Sequence, residues 1–280
     1  PQTPGNINIP LHGTKAAVCY VLKAMLDPDI PNNQGVLDAV EVVAPMGTMV
    51  SCIAPASVAA RAHTSQRIID VVIGALSPAL RASAVGAANG ANTMAVFAGN
   101  NPETGEPYVY LETLGGGFGG RNDRDGKDGV QVHITNTSNL PIEAIEMEYP
   151  LLVERYGFIP DSGGAGQYRG GLGLQRVVRP IGHTCTFNGV GERFRNNPWG
   201  IFDGCPGKSG SFWLEEDNKH PVQLSHKPPD MSLKTNQALV VNTPGAGGYG
   251  DPAKRPKELI DVDKLSGKFS DEFLKEFYEK

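Results

Sequence analysis

The sequence lacks most of the patterns that usually announce a function. No apolar run reaches the roughly 18 residues of a membrane-spanning helix. No block of Lys or Arg offsets the formal net charge of -5, so no nucleic-acid surface is expected. The four cysteines, Cys19, Cys52, Cys185 and Cys205, lie far apart and form no C-x-x-C pair. Buried free thiols of a cytoplasmic protein are therefore expected, rather than zinc or disulfides. The histidines show no H-x-H or H-E-x-x-H spacing, so no metal site is expected within the chain. No internal repeat and no signal-peptide pattern is visible, and a cytoplasmic, non-membrane protein is the expectation.

What the sequence has in quantity is glycine and proline, 35 and 22 among 280 residues, with no collagen period. That composition favours turns, strands and ordered loops over a helix bundle, and 40% hydrophobic residues supply a core. The glycines concentrate at Gly115-Gly116-Gly117-Phe118-Gly119-Gly120-Arg121, directly after an alternating run, Tyr108 to Leu111, that reads as a strand. Glycine lets another backbone or an anion come close, because no Cβ stands in the way. No Lys-Ser or Lys-Thr follows, which excludes a P-loop, and no helical run follows, which excludes the dinucleotide fingerprint. A structural glycine loop and a ligand-binding one both remain open.

Along the chain, Val18, Val21, Leu22, Met25 and Leu26 form a helical stripe with Thr14 as a candidate cap. Residues 39–44 read as a short strand. Ile68, Ile69, Val72, Ile73, Leu76 and Leu80 make the face of a second helix, capped by Ser57 or Thr64. The polar residues His63 to Arg67 at its start fit either capping or a ligand site. Strands are expected at Met94–Phe97 and at 108–111, then at 130–134, with His133 on the face away from the valines. Ile145, Met147 and Tyr149 suggest another, which puts Glu146 and Glu148 on one solvated or acid/base face. Further strands are expected near 174–179, 184–190, 211–215, 222–224 and 237–242. The expected fold class is mixed α+β: an N-terminal α/β-like layer, then a β-rich sandwich or barrel-like module, then a short helical tail. The corresponding domains are 1–128, 129–252 and 253–280, the last an amphipathic helix docking on the body or a neighbour.

A series of ordered motifs goes further. Asn136 to Glu143, Glu148-Tyr149-Pro150, Asp161 to Gly166 and Arg169 to Gly173 resemble the hydantoinase B/oxoprolinase family. Thr64 to Arg67, Glu112 to Gly120, Glu192-Arg193, Pro198-Trp199-Gly200 and Pro244 to Pro252 match it in the same order, so the resemblance covers about residues 5–252. It implies a subunit of an ATP-dependent hydantoinase, oxoprolinase or lactamase, or of an acetone or acetophenone carboxylase. Cyclic-amide hydrolysis through a phosphorylated intermediate is the favoured expectation. A ketone carboxylase subunit and a non-catalytic scaffold are the alternatives.

The resemblance is to the C-terminal half of the family subunit. With the start at Pro1, it implies that an N-terminal half is encoded separately or missing, and that this chain alone is inactive. ATP and Mg are expected on a hydantoinase A-like partner, and the metal ligands of the carboxylase members in the N-terminal half. A hetero-oligomer acting on a small molecule is thus expected. Against a scaffold stands a polar set near the glycines. Glu112, His133 and Asn136 are the catalytic candidates. Gly115, Gly116, Gly117, Gly119, Gly120, Arg121, Thr64 and Gln66 are the candidates for binding substrate or an oxyanion.

Overall fold

The computed structural model describes residues 1–279. The chain forms two compact units, Pro1–Val85 and Gly86–Lys280.

The first unit is helical. Helix α1, Leu11–Leu26, buries Thr14, Ala17, Val21 and Met25 along one stripe and packs against α3, Arg61–Leu76. It starts at Leu11, ahead of the expected cap. The Thr14 hydroxyl instead donates to the Val50 carbonyl at 2.6 Å, a tertiary tie. Between them lies α2, Gln34–Asp38, one short turn of helix with no buried residue. The strand expected at 39–44 does not form: the Ala39 and Val40 N–H groups bond back to Gly35 and Leu37 at the end of α2, and Val43 is 82% exposed. Helix α3 buries Gln66, Ile69, Asp70 and Ile73 rather than a purely apolar face, and Ala60 precedes it without a side-chain cap.

The second unit is a two-sheet sandwich with helices at its margins. The first sheet has the order β2-β1-β5-β8 and the second β3-β4-β9-β6-β7, with antiparallel neighbours throughout. The strands are β1, Thr93–Asn100; β2, Pro107–Leu114; β3, Leu151–Phe158; β4, Leu174–Pro180; β5, Cys185–Val190; β6, Ser211–Glu216; β7, Val222–Gln223; β8, Met231–Leu233; and β9, Gln237–Asn242. Alternation puts Phe97, Tyr110, Leu114 and Phe187 of one sheet against Val178, Phe212, Leu239 and Val241 of the other. The Phe187 and Phe212 rings meet edge-on at 5.7 Å between centroids. The mixed α+β class and the sandwich follow from the composition as expected.

Two expected strands are absent for local reasons. Residues 130–134 form only one bridge, Val130 to Gly116, because His133 turns the chain with φ 52°. Ile142–Glu148 is a helix, α4, entered from Pro141. Its period-two apolar pattern misled, since only Ile145 is buried and Met147 is 87% exposed. Glu146 and Glu148 therefore share no strand face.

The tail forms two helices, α5, Lys257–Leu265, and α6, Asp271–Tyr278. Phe269 and Leu274 close over Leu172 on the body of this unit.

Candidate functional site

The glycine stretch lies inside a bundle of extended segments that bond to one another in several directions instead of forming a flat sheet. Gly116 exchanges hydrogen bonds with Val130, at 3.0 and 2.7 Å. Gly117 N–H donates to the Pro244 carbonyl at 3.0 Å, Phe118 to Lys127 at 2.9 Å and Gly120 to Gly247 at 2.9 Å. In the other direction Asn89 N–H reaches Gly117, Gly86 N–H reaches Gly120, and Gly171 N–H reaches Phe118, each at 2.9 Å. A Cβ on Gly116 would stand 2.6 Å from the Pro244 oxygen and 2.7 Å from the Asn89 Cβ, and one on Gly119 would overlap the Gly86 carbonyl. The residue requirement is close backbone approach, not a turn: none of these five glycines lies in the left-handed region. The motifs Asp161 to Gly166, Arg169 to Gly173, Pro198 to Gly200 and Pro244 to Gly250 are further members of the bundle.

This arrangement decides what the stretch can do. A backbone N–H already donating to a buried carbonyl is satisfied and offers nothing to an oxyanion. The donors of Gly116, Gly117 and Gly120 are used in this way. What the stretch presents outward is its single side chain, Phe118, half-buried among the glycines.

Two of the residues chosen from sequence meet at that ring. The Arg121 guanidinium lies 5.7 Å from the Phe118 centroid, and the His133 ring is 6.1 Å away at a 59° tilt. Arg121 begins a tight turn in which its N–H donates to the Arg124 carbonyl at 3.0 Å, while Arg124 itself pairs with Asp123. The Arg121 Nε is buried and has no hydrogen-bond partner among the described residues. Burial, and then the nearby Arg124 charge, pull its pKa below the usual guanidinium value, with Asp123 opposing. An arginine in that state gains from any anion brought to it.

His133 is held by its neighbours. Val130 bridges to Gly116, the Gln131 amide donates to the Thr113 carbonyl at 2.6 Å, Val132 is fully buried, and Asn92 donates to Thr135 at 3.1 Å. These contacts fix a positive φ that a non-glycine residue adopts at a cost of about 1–2 kcal/mol. Asn136 follows on the exposed end of the same loop.

Glu112, Thr64 and Gln66 have partners of their own. Glu112 points into the sandwich on the Tyr110 side of β2, where it pairs with the buried Arg176 and accepts from the Tyr110 hydroxyl. Arg176 in turn lies 4.2 Å from the Tyr156 ring. Burial, reinforced by Glu112, pushes the Tyr110 hydroxyl well above its usual pKa. That cluster belongs to the core. Thr64 and Gln66 belong to the first unit and are buried on α3, with the Thr64 hydroxyl donating to the Ile7 carbonyl.

Phe118 was hidden in the sequence by the glycines around it, although a lone aromatic among five glycines is itself a signal. Arg176 gave none, being an arginine inside a strand that otherwise reads as core. Among the described residues no group of three His, Cys, Asp or Glu converges as a metal site would require. Nor, among the described residues, is any helix long and apolar enough to cross a membrane.

Taken together, the fold is an α+β chain whose sandwich carries a glycine bundle with Phe118, Arg121 and His133 at its surface. The family model for hydantoinase B/oxoprolinase matches residues 1–252, and the chain belongs to that family. An uncharacterized protein of Methanocaldococcus jannaschii is 40% identical over 258 residues, 92% of this chain and 44% of its own length. The B-type subunit of a putative D-/L-hydantoinase from Pseudomonas sp. is 32% identical over 93% of this chain and 45% of its own length. 5-Oxoprolinase 1 of Arabidopsis thaliana is 34% identical over 89% of this chain and 19% of its own. The chain thus spans less than half the length of these relatives. Among solved structures, the ATP-dependent caprolactamase from Pseudomonas jessenii superposes with a TM-score of 0.82 at 22% identity, over 98% of this chain and 49% of that one. Acetone carboxylase, in a nucleotide-free structure, gives 0.79 at 18% identity, over 98% and 41%. At these identities the two structures establish the shared fold.

Proposed function

We propose that this chain supplies part of the B-type subunit of an ATP-dependent enzyme that hydrolyses a cyclic amide: a hydantoin, an oxoproline or a lactam. The observation carrying this reading is that two relatives, matching 93% and 89% of the chain, are named as the B-type subunit of a hydantoinase and as a 5-oxoprolinase. The rest of the B-type polypeptide and an A-type ATP-binding subunit complete the enzyme as a hetero-oligomer.

ATP and Mg belong on the A-type subunit in this reading. The residues of this chain do not fit them: the glycine N–H groups that could cradle a phosphate are largely spent on the bundle, and no carboxylate group converges for a cation among the described residues. Phosphorylation of the amide oxygen is assigned to the partner. This chain's own contribution is at the Phe118 surface. The Phe118 ring offers a flat apolar face to a planar ring amide, and Arg121 a cation for negative charge developing on oxygen. His133, whose ring lies 6.1 Å from the Phe118 ring, is the general acid/base candidate. Asn136 extends the same loop as a polar contact.

The test is reconstitution of this chain with the remainder of the subunit and the A-type partner. ATP consumption is measured with hydantoin, 5-oxoproline, caprolactam, and acetone plus labelled bicarbonate. Stimulation by a cyclic amide is expected, and Arg121→Ala should lower turnover by about 10²-fold, the usual loss for one charge-stabilising donor. ATP consumption indifferent to all four compounds would sink the enzyme reading in favour of a scaffold. Label fixed with acetone would replace hydrolysis by carboxylation.

A further inference from the structure

The first unit contains a cleft of about 670 Å³ between α1 and the segment that carries α2, lined by Cys19, Tyr20, Ala24, Pro28, Val36 and Leu37. Its size would admit a small molecule, but a small-molecule site also needs convergent polar groups to orient the ligand. Besides Tyr20 the polar lining is Lys23, Asn32 and Asn33, and the first two already bond to each other at 2.9 Å. The wall is also unfinished. Helix α2 has no buried residue, Leu37 is 41% exposed and Tyr20 37%, with Leu26 and Ile30 exposed just beyond. A five-residue helix is far below the length that is stable in water by itself, so its order depends on what packs against it. An apolar cleft left open with exposed apolar side chains on its wall marks an interface.

The relatives say what is available to cover it. Nearly all of this chain matches two of them, yet it accounts for only 44% and 45% of their lengths, so each carries more chain than is matched here. We propose that the α1–α2 cleft is the docking groove for an amphipathic helix from that unmatched part of the family polypeptide. Its apolar side fills the space between Tyr20 and Leu37, and an acidic side chain faces Lys23, the one charged residue of the wall. The inference rests on the family assignment and the surface, and needs no particular reaction.

The probe is the unmatched part of the Methanocaldococcus jannaschii relative, co-expressed with this 280-residue chain and measured by light scattering and by titration of the separated partners. A one-to-one complex is expected. Leu37→Asp and Lys23→Glu should each weaken it at least tenfold without altering the circular dichroism of the free chain. Val109→Asp, on the exposed face of β2, should leave it unchanged. Hydrogen exchange across residues 16–37 should slow on complex formation. The absence of a complex, equal binding by both groove variants, unchanged exchange in 16–37, or a homodimer dissolved by Leu37→Asp would each overturn the proposal.

Discussion

Removing Asp263 should unfold the second unit more easily than any surface substitution could. Three cations and three carboxylates interlock where the tail meets the glycine bundle: Arg169, Arg255 and Lys268 against Asp125, Asp128 and Asp263. Asp263 accepts from Arg169 at 3.0 Å and from Arg255 at 2.6 Å, with its side chain 3% exposed. Asp263→Ala leaves two buried guanidinium groups sharing two carboxylates. Breaking a buried pair from one side costs about 3–5 kcal/mol, because the uncompensated charge stays desolvated. At about 2–4 °C per kcal/mol for a unit of this size, the thermal midpoint should fall by roughly 6–20 °C. Urea denaturation with a constant m-value is the primary assay. Faster exchange is expected at the Gly126 amide, which donates to the Arg169 carbonyl at 2.7 Å, and at the Leu172 amide, which donates to Asp128 at 2.9 Å. A loss below about 1 kcal/mol, the range of exposed pairs, would refute the view that the network is buried and coupled.

The same network sets the acid limit. Burial alone would raise the Asp128 carboxyl, but Arg169, Lys268 and the Leu172 N–H outweigh it and hold the group below its usual value. Its folded pKa is therefore the lower one. The stability it contributes is present above the unfolded carboxylate value, near 4, and is lost as pH falls through the depressed folded value. Asp128→Asn should accordingly flatten the decline of stability below about pH 4.

Two further predictions separate structure from chemistry. Gly116→Val should prevent correct packing instead of merely stopping turnover, because its side chain would press on Pro244 and Asn89; a loss of about 1–3 kcal/mol or more is expected by denaturation, and an unchanged midpoint would show that the bundle yields. Glu112→Ala should cost about 3–5 kcal/mol by leaving Arg176 buried and unpaired, and a variant that folds normally but loses turnover would support a catalytic role for Glu112 instead.

The sandwich was largely legible because its strands alternate: 174–179, 211–215 and 237–242 were expected and form nearly as placed, as β4, β6 and β9. Period-two patterning failed where one residue overrode it. At 130–134 the positive φ of His133 ends the strand, and at 142–148 only Ile145 needed burial, so a helix satisfied the pattern equally well. Strand β3 went unseen because most of Leu151–Phe158 is not buried and alternation carries no sign there. The ion network was invisible for a different reason. Its six members are spread from Asp125 to Lys268, and no local pattern says which charged residues will meet.

The glycine stretch shows that one motif admits two uses of the same backbone atoms. Five glycines invite the inference that exposed backbone N–H groups await an anion, yet glycine also permits a neighbouring carbonyl to reach those N–H groups. In this fold the carbonyls of Val130, Pro244 and Gly247 do so. With the donors of Gly116, Gly117 and Gly120 consumed, the chemistry proposed at this place falls to side chains projecting past the bundle. The stretch allows one within itself, Phe118, and borrows others from its ends and from the bridged loop, Arg121 and His133. The rigidity of the bundle would serve the proposed site: its segments are bonded on several sides, so the Phe118 ring keeps its position while Arg121 and His133 approach it from separate loops.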